Sequence, residues 1–287
     1  MAVVMDGKAL AEEIKDGISK EVDILSYEVG LAVVIVGENP ASRIYVNSKK
    51  RDCAQCGIHS EEFALPADTG EEKLLELIAE LNGRSNINGI LVQLPLPEGY
   101  DEDKVIRSIA PEKDVDAFHP YNVGLIVTGK YTFLPCTPAG VMELLTKYGV
   151  EIEGKHCVIV GRSNIVGKPQ ALLMLHKNGT VTICHSRTPD LSSITKQADI
   201  LVAAVGKAGL ITEDMVKDGA VVIDVAMNRN SDGKLCGDVD FENVSKKTSY
   251  ITPVPGGVGP MTRAILMKNT LMAANLQNSR RQPYTDD

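Results

Sequence analysis

The 287-residue chain contains no tryptophan, and eight tyrosines with four phenylalanines bring its aromatic content to only 4%. A flat ligand would have to stack on one of these few rings, so each tyrosine near a polar cluster matters. No apolar run approaches the roughly 18 residues that cross a bilayer. Met1–Lys8 also lacks the long apolar segment of a secretory leader. A soluble, cytoplasmic protein with no membrane partner is expected. Basic charge is in deficit: 30 Lys and Arg against 38 Asp and Glu leave a net charge of -8. Nucleic-acid binders usually carry a basic excess, so no nucleic-acid partner is expected, and an anionic ligand must meet locally concentrated positive charge. Six cysteines make no dense disulfide framework in a chain this long. Cys53 and Cys56 form a C-x-x-C, but inside a charged helical segment and without a second such pair, so no metal site is expected. Cys136, Cys157 and Cys184 border apolar runs and read as small buried hydrophobes.

What is present is an ordinary globular balance, 44% hydrophobic and 24% charged, with strand-like runs alternating with helical patterns. That alternation predicts an α/β protein with largely parallel sheets. Strands are expected at Leu31–Val36 and Ile87–Leu94, with helices near 7–27, 41–56, 71–82 and 101–109. Residues 110–137, rich in proline and glycine, read as irregular. A helix at 138–148 precedes a second series of strands, His156–Val160, Thr180–Cys184, Ile200–Ala204 and Ala220–Val225. The domain boundary is placed near 140, giving domains at 1–139 and 140–257. A last helix over 258–276 is expected to pack back on the first domain, and 277–287 to form a disordered tail.

Cys157–Pro169 reads as a buried strand, a glycine-bearing turn and a helix start. Gly161 allows a tight turn, Gly167 a close approach, and the helix offers unpaired N–H groups to a phosphate. The pattern is G-x-S-x-x-x-G rather than G-x-G-x-x-G, so on this segment alone a purely structural turn remains open. An NAD site commonly places an acid about 20 residues on. Here the next strand runs into His185-Ser186-Arg187-Thr188, with no acid before Asp190. Ser186, Arg187 and Arg162 suit a ribose 2′-phosphate, which favours NADP over NAD.

In the first half, Tyr45 and Lys49 stand four apart on a predicted helix and so share a face. The tyrosine offers a ring, the lysine a group that can donate or accept a proton. An amphipathic surface helix would look the same. Gln93 ends an apolar strand, where parallel sheets meet their ligands; it could orient a lysine or a water, or merely cap the proline turn that follows. Asp114 and Asp116 flank a loop; they could pair with Lys113 or grip a ring bearing N–H donors.

Six stretches, in order along nearly the whole chain, resemble the bifunctional methylenetetrahydrofolate dehydrogenase/cyclohydrolase family. They are Tyr45–Lys49, Gly89–Pro97, Pro111–Asp116, Pro135–Pro138, Gly161–Pro169 and Thr252–Thr262; the last is a proline- and glycine-rich loop that no generic fold demands. The resemblance implies oxidation of 5,10-methylene-tetrahydrofolate with NADP, then hydrolysis of the methenyl product. It implies two α/β domains flanking a cleft, the first binding folate and the second a Rossmann-like NADP domain, usually as a homodimer through the cofactor domain. Lys49 would be the acid/base group, Gln93 its positioning partner, Tyr45 the stacking ring and Asp116 the pterin holder. Pro255, Gly256 and Gly257 would border the substrate. Gly161, Arg162, Ser163, Ile165, Gly167, Ser186, Arg187 and the backbone at Met227 would contact NADP. In the sequence itself, Lys49, Lys50 and Arg51 concentrate positive charge locally; only some of them can point into the cleft, and which residue meets folate's glutamate tail is not readable from it. The chain departs from the family pattern at Ala117, where glycine is frequent, and at Ala226-Met227, where Gly-Ile is. A monofunctional dehydrogenase is the nearest alternative. Another nicotinamide dehydrogenase would explain the Gly161 turn but not the first-half residues, and a non-catalytic folate- or nucleotide-binding module would leave the polar set without work.

Overall fold

The computed structural model describes residues 2–230 and 232–280. In chain order the elements are β1 (Val3–Val4), α1 (Gly7–Asp23), β2 (Gly30–Val36), α2 (Pro40–Gln55), β3 (His59–Leu65), α3 (Glu71–Gly83) and β4 (Gly89–Val92). Then come α4 (Glu102–Ser108), α5 (Pro120–Thr128), α6 (Cys136–Lys147), β5 (His156–Val160), α7 (Gly167–His176), β6 (Thr180–Cys184), α8 (Leu191–Thr195) and β7 (Ile200–Ala203). The chain continues through β8 (Val221–Asp224), β9 (Asn228–Arg229), β10 (Leu235–Cys236), α9 (Phe241–Val244), β11 (Tyr250–Ile251) and α10 (Val258–Ser279). This is the α/β organisation expected from the alternation. No helix among the described residues is long and apolar enough to cross a membrane.

The chain divides into two compact units. One contains Glu13–Leu125, Tyr131–Leu134 and the described residues from Leu266 on. Its sheet is parallel, in the order β3-β2-β4. The central strand, Gly-Leu-Ala-Val-Val-Ile-Val, is buried along its whole length, as a parallel strand covered on both faces requires. Leu74, Ile78 and Leu81 of α3 and Val105 of α4 pack with Ala32, Val34, Ile90 and Val92. The segment 113–115 runs alongside β4, with Ile90 N donating to Lys113 O and Ile90 bridging Asp114. Gln277 Nε2 donates to Asn88 O and Glu112 O, so 277–279 continue the helix instead of joining the polar tail; 281–287 lie outside the described residues.

The other unit contains the described residues up to Glu12, Ile126–Lys130 and Pro135–Ile265. Its parallel sheet runs β1-β11-β8-β7-β5-β6. β1 pairs with β11 through Val3–Tyr250 and Val4–Ile251. Two short strands, β9 and β10, form an antiparallel pair beyond β8.

The two-residue strands β1, β9, β10 and β11 fall outside the expected strands, and β3 and α5 also differ from the sequence expectations. β3, His-Ser-Glu-Glu-Phe-Ala-Leu, is an edge strand whose glutamates face cations, so no apolar run marks it. α5 lies inside the stretch read as irregular; Pro120 stands at its first position, where a missing N–H costs nothing.

Candidate functional site

In the three-stranded unit, the chain leaving β2 turns at Asn39, whose Oδ1 accepts from Ser42 N and caps α2. Tyr45 and Lys49 lie on this helix, Tyr45 exposed and Lys49 half-buried. Gln93 follows β4, its backbone N–H donating to Val34 O and so extending the parallel ladder by one residue. Its side-chain amide is held at both ends: Nε2 donates to Leu94 O at 2.7 Å, and Oε1 accepts from Lys49 Nζ at 3.0 Å. Gln93 thus meets Lys49 with its oxygen and caps the proline turn's backbone with its nitrogen, so both contacts read from its place in the chain are present. The Leu94–Pro95 bond that follows is cis.

The basic run is divided. Lys50 Nζ is 2.9 Å from Glu62 Oε2, and Arg43 pairs with the same carboxylate. The Lys50 bond and the Arg43 bond together hold the Glu62 carboxyl below its ordinary range. Arg51 donates to Ser48 Oγ at 3.1 Å. Lys50 is thus committed to the edge strand, away from the role of a general cation for an acidic ligand. Beneath the helix, Lys15 Nζ lies 3.0 Å from Asp52 Oδ1 and 2.7 Å from Gln55 Oε1. Cys53 and Cys56 are buried and in no disulfide, and burial pushes the Cys53 thiol up to about 12.

The two acids of the loop separate in role. Asp114 is buried and accepts from Phe118 N, His119 N and Asn122 Nδ2. Burial raises its pKa against those bonds. It shapes the turn into α5. Asp116, two residues on, is half-buried. Lys113 Nζ donates to the carbonyls of Leu81 and Arg84. Ala117 adopts φ 58°, a left-handed conformation.

In the larger-sheet unit, Gly161 follows β5 at φ 135°. A Cβ there would sit 2.3 Å from Ala204 O, and one on Gly167 would sit 2.2 Å from Gly161 O. Both glycines are therefore sterically required for the turn. Ser163 Oγ accepts from Val166 N and Gly167 N at 3.1 and 3.3 Å, capping α7. A hydroxyl that accepts twice has its own proton left to donate outward. Arg162 and Ile165 are exposed beside it. Gly161 N donates to Cys184 O, which sets this turn against the end of β6. There His185 N donates to Thr188 Oγ1 and Arg187 N to His185 Nδ1, a tight turn that leaves Ser186 and Arg187 exposed. Met227, after β8, is exposed. Pro255, Gly256 and Gly257 lie in the loop before α10; Val254–Pro255 is cis, Gly256 O accepts from Lys8 N, and Gly257 N donates to Pro253 O. Thr137 and Thr262 hydroxyls meet at 3.0 Å.

Sequence reasoning passes over Asp224 and Asp238, both buried. An acid closing the apolar run Val221–Asp224 was the available signal. Among the described residues no group of three or more His, Cys, Asp or Glu is placed to hold a metal ion.

Residues 5–116 match the model of the tetrahydrofolate dehydrogenase/cyclohydrolase catalytic domain, and 135–278 that of the corresponding NAD(P)-binding domain. The bifunctional protein FolD of Ruminiclostridium cellulolyticum is 58% identical over 280 residues, covering 96% of this chain and 99% of that one. Among solved structures, bifunctional FolD of Campylobacter jejuni superposes with TM-score 0.95 at 50% identity, covering 96% and 99% of the two chains. The Trypanosoma brucei methylenetetrahydrofolate dehydrogenase-cyclohydrolase, solved with NADP and an inhibitor, gives 0.93 at 40% identity, covering 98% and 99%.

Proposed function

The chain belongs to the tetrahydrofolate dehydrogenase/cyclohydrolase family, and from that premise we propose that it oxidises 5,10-methylene-tetrahydrofolate with NADP and hydrolyses the methenyl product to 10-formyl-tetrahydrofolate. The observation that carries the hydrolytic half is the 3.0 Å contact between Lys49 Nζ and Gln93 Oε1.

NADP, when bound, accepts the hydride. The residues after β5 and β6 fit its phosphates: two glycines that admit no Cβ, an outward Ser163 hydroxyl, and the exposed Arg162, Ser186 and Arg187 for a 2′-phosphate. Ile165 and Met227 would cover apolar parts of the cofactor. On the folate side, Tyr45 would stack on the ring system, Asp116 would accept from pterin N–H groups, and Pro255–Gly257 would line the substrate. Water then adds to the cationic methenyl carbon. Lys49 would take up one proton from the adding water and deliver it to the ring nitrogen as the carbon–nitrogen bond opens, the second water proton leaving to solvent as the formyl carbonyl forms, with Gln93 fixing the amine's direction.

The reading extends to a cytoplasmic homodimer supplying a formyl donor to reactions such as purine biosynthesis. For the dimer, the support is β6, an edge strand with Ile183 exposed. The deciding experiment supplies purified protein with methylene-tetrahydrofolate and either NADP or NAD, following reduced cofactor and methenyl species separately. Cofactor reduction without methenyl build-up, faster with NADP, is the expected result. Methenyl accumulation governed by its spontaneous hydrolysis would overturn the second activity; no reduction with either cofactor would overturn both.

A further inference from the structure

Asp238 lies after β10, far in sequence from the phosphate-binding turn, and is fully buried. Its carboxylate gathers four donors. Oδ2 accepts from Val205 N at 2.7 Å and Gly206 N at 3.1 Å; Oδ1 accepts from Lys207 N at 2.6 Å and Asn228 Nδ2 at 2.9 Å. Val205–Lys207 lies in the loop that follows β7, and Asn228, the first residue of β9, directly follows Met227. Parallel sheets meet their ligands at such strand ends. The β7 loop also touches the phosphate-binding turn, since Ala204 O is the atom a Cβ on Gly161 would strike.

A second acid sets the first. Asp224, the last residue of β8, accepts from Asp238 N through Oδ1 and Val239 N through Oδ2, both at 2.9 Å. Gly237 permits that approach, because a Cβ there would lie 1.9 Å from Asp224 Oδ2. Asp224 N in turn donates to Thr252 Oγ1 at 2.7 Å, at the head of the proline- and glycine-rich loop. Asp238 thus orders the loop after β7 through backbone amides and the segment after β8 through the Asn228 side chain, while Asp224 holds the backbone at Asp238 and Val239.

We infer that Asp238 is a positioning residue for the dehydrogenase step: it fixes the Val205–Lys207 backbone and, through the Asn228 side chain, the segment after β8, against which the hydride-accepting end of the dinucleotide rests. This rests on the proposed NADP-dependent oxidation. Only a fully ionised carboxylate can take all four donors on its two oxygens. In Asp238→Asn the amide nitrogen would face N–H groups, leaving at least one pair without an acceptor and freeing one loop. Hydride transfer is sensitive to displacements of about 1 Å, which cost on the order of 10²-fold. Hydrolysis depends on Lys49 and Gln93, in the other unit.

The test compares wild type with Asp238→Asn and with the milder Asn228→Ala, which removes one donor and leaves the carboxylate. Three quantities are read: NADP-dependent oxidation, hydrolysis of methenyl-tetrahydrofolate supplied without cofactor, and amide hydrogen exchange at Val205–Lys207. Expected for Asp238→Asn are a loss of at least tenfold in oxidation kcat/KM, shared between KM for NADP and kcat, faster exchange in the loop, and hydrolysis within twofold of wild type. Asn228→Ala should move oxidation in the same direction by about threefold, and it decides the matter if the aspartate variant fails to fold. Unchanged oxidation in a folded variant overturns the positioning role, as does hydrolysis falling in step with oxidation. A wild-type protein without oxidation activity would instead overturn the underlying functional reading.

Discussion

Lys49 Nζ and Gln93 Oε1 meet at 3.0 Å, joining a residue of α2 to one that lies 44 positions on, at the end of β4. The amide's other end is tied to Leu94 O, so the oxygen has one direction to offer the amine. Lys49→Met should therefore cut methenyl hydrolysis by about 10²- to 10⁴-fold, the usual worth of a positioned acid/base group, while oxidation falls much less. The two half-reactions are assayed separately. Equal hydrolysis by the variant and wild type would refute the role of Lys49.

Replacing the neutral partner by an anion tests the pair from the other side. In Gln93→Glu a carboxylate would stand beside the ammonium and favour its charged form, by about one to three pK units. The amine would then be free to accept a proton only at higher pH, so the hydrolysis–pH profile should move alkaline. Profiles measured between pH 6 and pH 10 that overlay would show that Lys49 does not titrate in the hydrolytic step.

Arg187 and Ser186 leave the His185–Thr188 turn exposed. If Arg187 meets a 2′-phosphate, Arg187→Ala should lower kcat/KM for NADP about tenfold or more and change that for NAD little. Equal losses with both cofactors would move Arg187 from specificity to general cofactor binding.

The parts legible beforehand were those whose signal is local. β2 is announced by an unbroken apolar run, and Tyr45 and Lys49 share a helical face by spacing alone. β3 was not legible because its half-buried acids, Glu61 and Glu62, are paired to Arg84, Arg43 and Lys50, contacts that only the fold supplies. The same holds for charge: Lys49, Lys50 and Arg51 look equivalent in sequence, and Glu62 separates them. Asp238 reads as a loop acid until the loops after β7 and β8 are seen folded around it.

Ala117 is fully buried at φ 58°. Glycine would relieve a left-handed conformation that costs a non-glycine residue about 1–3 kcal/mol. It would also forfeit a buried methyl, about 1 kcal/mol, and add unfolded-chain entropy worth about 0.5–1 kcal/mol. The terms nearly cancel, so Ala117→Gly should change unfolding free energy by less than about 1 kcal/mol. Urea denaturation showing a gain beyond about 2 kcal/mol would mean that the conformation is strained more than packing repays.

Asp224 supplies a pH dependence with a definite sign. Burial first, and then the neighbouring Asp238 charge, raise its pKa from 3.8 to about 7, against the backbone bonds from Asp238, Val239 and Ala226. The folded state therefore holds this proton more tightly than the unfolded chain. Its contribution to stability is fully present below about pH 3.8 and is lost as pH rises through about 7. Between pH 5 and pH 8 that loss amounts to about 2–3 kcal/mol. Asp224→Asn removes the titration but leaves an amide nitrogen facing backbone N–H groups, a penalty that does not vary with pH. Wild type should thus be the more stable protein at pH 5, and its advantage should shrink steadily toward pH 8. Urea melts at four pH values measure the gap. A gap that is constant, or that widens with pH, would mean that Asp224 is already ionised at pH 5 and that its amide bonds outweigh its burial.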